Sequence, residues 1–247
     1  MGAIAKSSKS GYVVDTDVLD DGESSVETTD AYERFRNMSG DELFDFMQNI
    51  EIHYKEILKD TQGLNDRNAM QALIHVLGLH ETPIVESDKD FDDSAINNAL
   101  DNAILYRGLH FSPRYEGTVS DMVDSIKYGN QTFIGDGWHG DGIYFTTSTS
   151  YAKDYADFPF KDSTITAYLN KRRTKVIDES TLQDAYSNES DYTQLTFRGN
   201  ISAYALYKGY NTIRVKGGNG DRNDGDFYIA LTRYPLTIRD HTKIKHQ

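Results

Sequence analysis

The chain has 247 residues, long enough for one large domain or for one domain with a helical appendage. Its 39 acidic and 26 basic side chains give a formal net charge of −13, which opposes nonspecific binding to nucleic-acid phosphates or an anionic membrane. The chain contains no cysteine, which excludes disulfides and thiolate ligands, and no apolar run long enough to span a bilayer. We expect a soluble cytoplasmic protein with no membrane partner, no nucleic-acid partner and no metal site.

The first part of the sequence predicts a polar arm followed by helices. Residues 1–28 are rich in Ser, Asp and Gly, a composition that buries too little surface to order itself, so we expect a flexible arm. Residues 29–94 are expected to be a helical segment, because apolar residues recur there at spacings of three and four. The predicted helices run from Ser39 to Gly63, over 66–77 with Gly78 closing the helix, and from Asp93 or Ser94 to Leu100, with an acidic connector over 81–92 before the last.

Residues 95–247 are expected to form an α+β domain. Short runs rich in β-branched and aromatic residues predict strands, and amphipathic stretches between them predict helices. The predicted strands cover 104–106, 143–149, 163–169, 174–177, 212–215 and 227–232, and the predicted helices cover 121–128, 150–157 and 200–207. The fold class that follows is α+β, with the helical segment preceding the sheet.

The first motif of chemical interest is Leu105-Tyr106-Arg107-Gly108. Arg107 follows three apolar residues and is expected at the end of a buried strand, where its planar guanidinium can make a bidentate contact with a phosphate. Gly108 would let a ligand approach the backbone. The alternative is that Arg107 forms a structural salt bridge at a strand end.

The second motif joins two aromatic residues to a run of hydroxyls. Tyr144 and Phe145 are followed by five hydroxyl residues, 146–150, and then by a second aromatic stretch that contains Tyr155. Alternate hydroxyls of a strand lie on one face and can meet a ligand, while aromatic rings can pack on a flat group. Ser150 is expected to cap the next helix. The alternative is an edge strand and a helix cap with no ligand.

The third motif is a pair of carboxylates before a strand. Asp224 and Asp226 are two residues apart, so both side chains would lie on one side if the chain is extended there. Such a pair suits glycosidic cleavage, because one carboxylate can hold a ribose hydroxyl and stabilise positive charge while the other positions the nucleophile. The alternative is an ordinary turn, since Gly, Asn and Asp commonly cluster before a strand.

Together these motifs resemble those of the ADP-ribosyltransferases. Residues 105–108 resemble the Tyr-Arg-Gly motif of the branch defined by arginine, serine and glutamate, and residues 145–149 are similar to its Phe-x-Ser-Thr-Ser strand, with Thr147 at the first serine position. Asp224-Gly225-Asp226 stands where that branch has Glu-x-Glu, so both glutamates are replaced by the shorter aspartate. The stretch from Gly142 to Tyr155 is also similar to the poly(ADP-ribose) polymerase branch.

The resemblance covers about residues 95–240 and implies a split antiparallel β-sheet that holds NAD in a cleft and breaks its nicotinamide bond. It also implies a role for each site residue. Arg107 would clamp the pyrophosphate beside Gly108, and Thr147 or Ser148 would brace Arg107 and the nicotinamide ribose. The nicotinamide would be enclosed by Tyr144, Phe145 and Tyr155. Asp226 would hold the ribose hydroxyl and stabilise the cation, and Asp224 would position the acceptor.

The implied activity is mono-ADP-ribosylation of a target protein, with an arginine side chain as the leading acceptor. The wider run through 207–213 resembles transferase domains of bacteriophage genes, some of them attached to minor head proteins, which implies action on a host or phage protein in the host-cell cytoplasm. The alternative is a noncatalytic module, either an NAD-binding protein or a structural protein of a virion that retains the fold.

Overall fold

The computed structural model of the chain describes residues 28–59, 68–110, 118–128, 138–156, 163–217 and 225–240. These residues form one mostly antiparallel sheet of eight strands, together with nine α-helices, so the protein is of the predicted mixed α+β class. The predicted arm lies outside the described residues, apart from residue 28.

The sheet contains eight short strands in the order β1-β8-β4-β2-β3-β7-β6-β5. The strands are β1 (Ile84–Ser87), β2 (Leu105–Gly108), β3 (Ile143–Thr146), β4 (Thr164–Leu169), β5 (Val176–Asp178), β6 (Thr212–Val215), β7 (Phe227–Ala230) and β8 (Leu236–Asp240). The two outermost pairs, β1 with β8 and β5 with β6, are parallel, and the other neighbours are antiparallel.

The sheet is weakly joined at its centre. Only Tyr106 and Thr146 are in register between β2 and β3, whereas each of the other strand pairs shares three or four residue pairs. We call this junction the seam. It separates a first half-sheet, β1-β8-β4-β2, from a second half-sheet, β3-β7-β6-β5.

Helices cover both faces of the sheet. They are α1 (Asp30–Asn37), α2 (Gly40–Ile57), α3 (Ala69–Leu77), α4 (Asp88–Asn98), α5 (Val119–Tyr128), α6 (Thr149–Asp154), α7 (Glu179–Ser187), α8 (Asp191–Phe197) and α9 (Ile201–Tyr207), with a 3₁₀ turn at Leu100–Asn102. As predicted, Gly78 ends α3, with a left-handed φ of 69° that an L side chain would adopt only with strain. Ser39 occupies the position before α2 that the sequence predicted for its start.

The first three helices share a hydrophobic core with the second half-sheet. Tyr32, Phe35 and Leu73 pack in one buried cluster with Ile213 and Ile229 of β6 and β7. A second cluster lies against the other face of the sheet, beneath α5. The first cluster contains sheet residues of the second half-sheet only, whereas the second cluster contains residues of both half-sheets and therefore crosses the seam.

Several elements differ from the sequence-based prediction. The acidic connector over 81–92 contains β1 and the start of α4, which Ser87 caps by accepting a hydrogen bond from the backbone N–H of Asp90. Strand β1 is stabilised by parallel pairing with β8, a strand that the sequence did not reveal either. Strand β3 ends at Thr146 because Ser148, rather than the predicted Ser150, caps α6. Helices α7 and α8 were also missed.

Removal of one buried hydroxyl tests the packing of the first helices on the rest of the fold. Tyr32 is fully buried, and its hydroxyl donates a hydrogen bond of 2.8 Å to the carbonyl oxygen of Leu206 in α9. Tyr32→Phe should lower the free energy of unfolding by about 1 kcal/mol, because a buried hydrogen bond is lost while the carbonyl oxygen keeps its bond from the N–H of Gly209. Urea denaturation measures the change.

The matched control is Tyr192→Phe, which removes an exposed hydrogen bond of 2.7 Å to Asp41. Its cost should stay within about 0.5 kcal/mol, because water replaces the lost partner. Equal costs for the two variants would contradict the packing of α1 against α9.

Candidate functional site

The three motifs of the sequence lie on neighbouring strands. Strand β3 carries the hydroxyl run and is flanked by β2, which carries Arg107, and by β7, which Asp226 precedes. The backbone N–H of Thr147 donates a 3.0 Å hydrogen bond to the carbonyl oxygen of Asp226, and the N–H of Asp226 donates a 3.0 Å bond to the Thr147 hydroxyl. Segments that are about 120 residues apart in the chain therefore meet at the seam.

Arg107, Thr147 and Asp226 share one face of the sheet. Side chains alternate between the faces of a strand, and the register of β3 with its neighbours puts these three positions on the same side. Strands lie about 4.8 Å apart and rise about 3.4 Å per residue, so the Cα atoms of Arg107 and Asp226 are about 12 Å apart. Long side chains and a ligand of nucleotide size can bridge that distance.

Arg107 is half-buried, with a buried Nε, and its contacts within the described part of the chain include no carboxylate. Its Nη1 donates a 3.3 Å hydrogen bond to the carbonyl oxygen of Tyr144, and its Nε is buried without a described partner. Burial lowers the pKa of the Arg107 guanidinium to about 10, so the group stays charged at neutral pH. A desolvated charge is costly unless an anion approaches it, which makes Arg107 a candidate anion-binding residue.

Arg214 on β6 shows what a structural arginine looks like on the same face. Its Nε lies 2.6 Å from Asp178 and its Nη1 lies 2.9 Å from Asp101. The hydrogen bond that Arg214 donates to Asp178 raises the pKa of Arg214 above its usual value. The alternative interpretation of Arg107, a salt bridge at a strand end, therefore describes Arg214 and not Arg107 within the described residues.

Asp226 is half-buried and held in place from two sides. Its Oδ1 accepts a 2.9 Å hydrogen bond from the backbone N–H of Gly217, and its backbone pairs with Thr147. Gly225 has a φ of +72°, and a Cβ there would collide with the Thr147 hydroxyl, so this turn requires glycine. Asp224 lies outside the described residues.

Gly108 and Ser148 have local structural roles. A Cβ at Gly108 would collide with the carbonyl oxygen of Ala152, so the glycine allows α6, rather than a ligand, to approach β2. The Ser148 hydroxyl accepts a 3.2 Å hydrogen bond from the N–H of Tyr151 and caps α6. Both residues thereby position α6 at the edge of the site.

The three predicted aromatic residues do not form one wall. Phe145 is 2% exposed and packs in the core on the Arg107 face, whereas Tyr144 lies on the opposite face with its hydroxyl bonded to the carbonyl oxygen of Gly140. Tyr155 is half exposed at the end of α6, where its ring lies 5.0 Å from that of Tyr151. Of these three, Tyr155 has the exposure that a contact with a ligand requires.

Other aromatic and charged groups near β7 were not identified from the sequence. The ring of Tyr151 lies 5.1 Å from that of Phe227, directly after Asp226. His139 has a side chain only 19% exposed, with Nδ1 2.8 Å from Glu179. Forty residues separate His139 from Glu179, so no local signal could have paired them.

Within the described ranges, no group of three His, Asp or Glu side chains could hold a metal ion. No helix in these ranges is long and apolar enough to cross a membrane.

Comparison of the sequence with protein-family models and with curated proteins found no match. Function is therefore inferred from the residues of the site and their geometry.

Replacement of the two arginines by methionine separates a binding group from a structural one. Arg107→Met should leave the free energy of unfolding unchanged or raise it, because the variant removes a desolvated charge and keeps the apolar volume. Arg214→Met should lower it by about 1–3 kcal/mol, because Asp178 and Asp101 lose their shared partner. Urea denaturation at pH 7 compares the variants, and a large loss of stability in Arg107→Met would identify a structural role.

Proposed function

We propose that this protein is an NAD-dependent mono-ADP-ribosyltransferase. It would cleave the glycosidic bond between nicotinamide and ribose and transfer ADP-ribose to a side chain of a target protein. The observation that carries the proposal is the location of Arg107, Thr147 and Asp226 on one sheet face at the seam, with the buried guanidinium of Arg107 lacking a described carboxylate partner. A dinucleotide supplies the anion that this guanidinium needs and the ribose that the carboxylate needs.

Arg107 would bind the pyrophosphate. Its Nη1 donates a hydrogen bond to a backbone carbonyl of β3, which orients the guanidinium plane, while the N–H of Nε has no described acceptor. Hydrogen bonds between a guanidinium and phosphate oxygens are charge-assisted and can be bidentate, and a low-dielectric setting strengthens them. The desolvation cost that Arg107 carries in the unliganded protein would thereby be offset on binding.

Asp226 would stabilise the reacting ribose. When the C1′–N bond of the nicotinamide riboside breaks, the electron pair leaves with nicotinamide and positive charge develops on the ribose. A carboxylate that is already fixed near that position lowers the barrier without reorganising. Thr147 holds Asp226 through backbone and hydroxyl hydrogen bonds, a contact that differs from the role that the resemblance implies for Thr147 or Ser148, which is to brace Arg107 and the nicotinamide ribose.

The acceptor would then attack C1′ and lose its proton. Arginine remains the leading acceptor, and the formal charge of −13 favours the approach of a basic target surface. Asp224 would position this acceptor. The target would be a host or phage protein in the host-cell cytoplasm. The seam between the two half-sheets supports the expected split sheet, since a cleft can open where only one residue pair joins the strands.

A noncatalytic NAD-binding or virion protein is the second candidate. Asp226 carries a shorter side chain than glutamate, and its Oδ1 is already engaged by the N–H of Gly217. The carboxylate is therefore held towards β6, and a ribose must come to it. In this case the protein would bind NAD through Arg107 but would not cleave it.

Labelled NAD tests transfer and binding together. With NAD and cell lysate, wild-type protein should transfer label to protein or release nicotinamide. Asp226→Asn should lower the turnover rate by about 100-fold or more, with little effect on the binding of ADP-ribose, because its charge acts mainly in the transition state. Arg107→Met should weaken ADP-ribose binding by roughly 10- to 100-fold, because charge-assisted hydrogen bonds are lost. Radiolabel transfer and calorimetry measure the two effects.

Asp45→Asn, at an exposed position of α2, is the matched charge control and should leave both effects unchanged. Asp226→Glu tests side-chain reach and should retain activity. Binding of ADP-ribose without turnover in any variant would support the noncatalytic candidate. Absence of both binding and turnover in the wild-type protein would refute both candidates.

A further inference from the structure

The site lies where the strands of the sheet share the fewest residue pairs. Side-chain contacts must therefore set the distance between the two half-sheets. Arg107 belongs to the first half-sheet and Asp226 adjoins the second, while Tyr106 and Thr146 are the only residue pair in register between them. A change in the spacing of the half-sheets would directly change the distance between the guanidinium and the carboxylate. Contacts that cross the seam therefore matter for the proposed chemistry.

Asp101 makes polar contacts across the seam. It lies in the 3₁₀ turn before β2, and a bridge between Ala99 and Asn170 ties this turn to the end of β4 in the first half-sheet. Its Oδ2 accepts a 2.8 Å hydrogen bond from the hydroxyl of Tyr228 on β7 and lies 2.9 Å from Nη1 of Arg214 on β6. One carboxylate oxygen thus joins the turn to two strands of the second half-sheet.

The backbone at Asp101 is strained. Asp101 has φ 54° and ψ 16°, and Asn102 has φ 52°, so two consecutive non-glycine residues occupy the left-handed region. Each such residue costs about 1 kcal/mol or more, although Asp and Asn tolerate the conformation best. Strain of this kind persists only where the surrounding contacts hold it, and here the two contacts of Asp101 do so.

The partners of Asp101 are themselves well fixed. Tyr228 is 2% exposed and is in register with Phe145 and Arg214. Arg214 is also bound to Asp178, which Lys216 approaches to 2.6 Å. The second half-sheet therefore offers Asp101 a rigid pair of donors, and a shift of either half-sheet would break their geometry.

We propose that Asp101 is a positioning residue that holds the two half-sheets at the spacing required for Arg107 and Asp226 to act on one nucleotide. The part concerning the nucleotide rests on the proposed function, whereas the part concerning the seam does not. Asp101 would not touch the reacting atoms. It would act through the geometry of β2 relative to β7.

The test compares Asp101→Gly with Asn102→Gly. Both substitutions relieve a left-handed backbone, but only the first removes the contacts with Tyr228 and Arg214. Asp101→Gly should make amide hydrogen exchange in β2 and β3 roughly fivefold faster and should raise the Kd of ADP-ribose roughly fivefold, the effect of losing one or two hydrogen bonds. Asn102→Gly should change neither quantity.

Two further variants separate positioning from general stability. Asp101→Asn keeps an acceptor for the Tyr228 hydroxyl and tolerates the left-handed backbone, so it should restore part of the affinity. Tyr32→Phe lowers the free energy of unfolding far from the seam, so any faster exchange should extend across the fold rather than concentrate in β2 and β3, and the affinity should stay as in the wild type.

Each outcome decides the proposal. Faster exchange and weaker ADP-ribose binding in Asp101→Gly, with Asn102→Gly unchanged, would support it. Unchanged exchange, or faster exchange with unchanged affinity, would overturn it. Should the wild-type protein bind no ADP-ribose, the proposed function fails, and the exchange data alone then decide whether Asp101 holds the seam.

Discussion

The buried guanidinium of Arg107 is the feature on which the interpretation of this protein depends. Burial in a sheet removes water from the cation, and among the described residues one carbonyl oxygen and no carboxylate accepts a hydrogen bond from it. A desolvated charge of this kind is costly, which supports the proposal that Arg107 binds an anion. Arg214, on the same face, binds two carboxylates, so the two arginines differ in their partners among the described residues.

Strand order turns this cation into part of a site. Because β3 separates β2 from β7, and because Thr147 binds the backbone of Asp226, a cation, a hydroxyl and a carboxylate share one face within about 12 Å. In the proposed cleavage of a dinucleotide, the cation would contact phosphate and the carboxylate would lie near the ribose. The structure corrects the aromatic part of the prediction, since Tyr144 and Phe145 lie on opposite faces.

The same junction explains how binding could be coupled to the shape of the sheet. One residue pair is in register between the half-sheets, so their relative position depends on side-chain contacts across the seam, which the second apolar cluster and Asp101 supply. Packed clusters resist deformation, whereas a single ladder pair resists it little. Asp101 joins the halves at the cost of a strained backbone, which places the most adaptable part of the sheet beside the groups that a ligand would contact.

The sequence by itself determined the α+β class, most of the strands, the end of α3 and the three motifs, because strand patterns, helix periodicity and glycine caps depend on neighbouring residues. Tertiary structure alone decided that β1 pairs with β8 and that Gly108 allows α6 to approach β2. It also decided that Arg107 lacks a described carboxylate partner where Arg214 has two, and that Asp101 makes contacts across the seam. These facts depend on contacts between residues far apart in the chain. Local composition carries no record of such contacts, since burial and pairing arise only when distant segments meet.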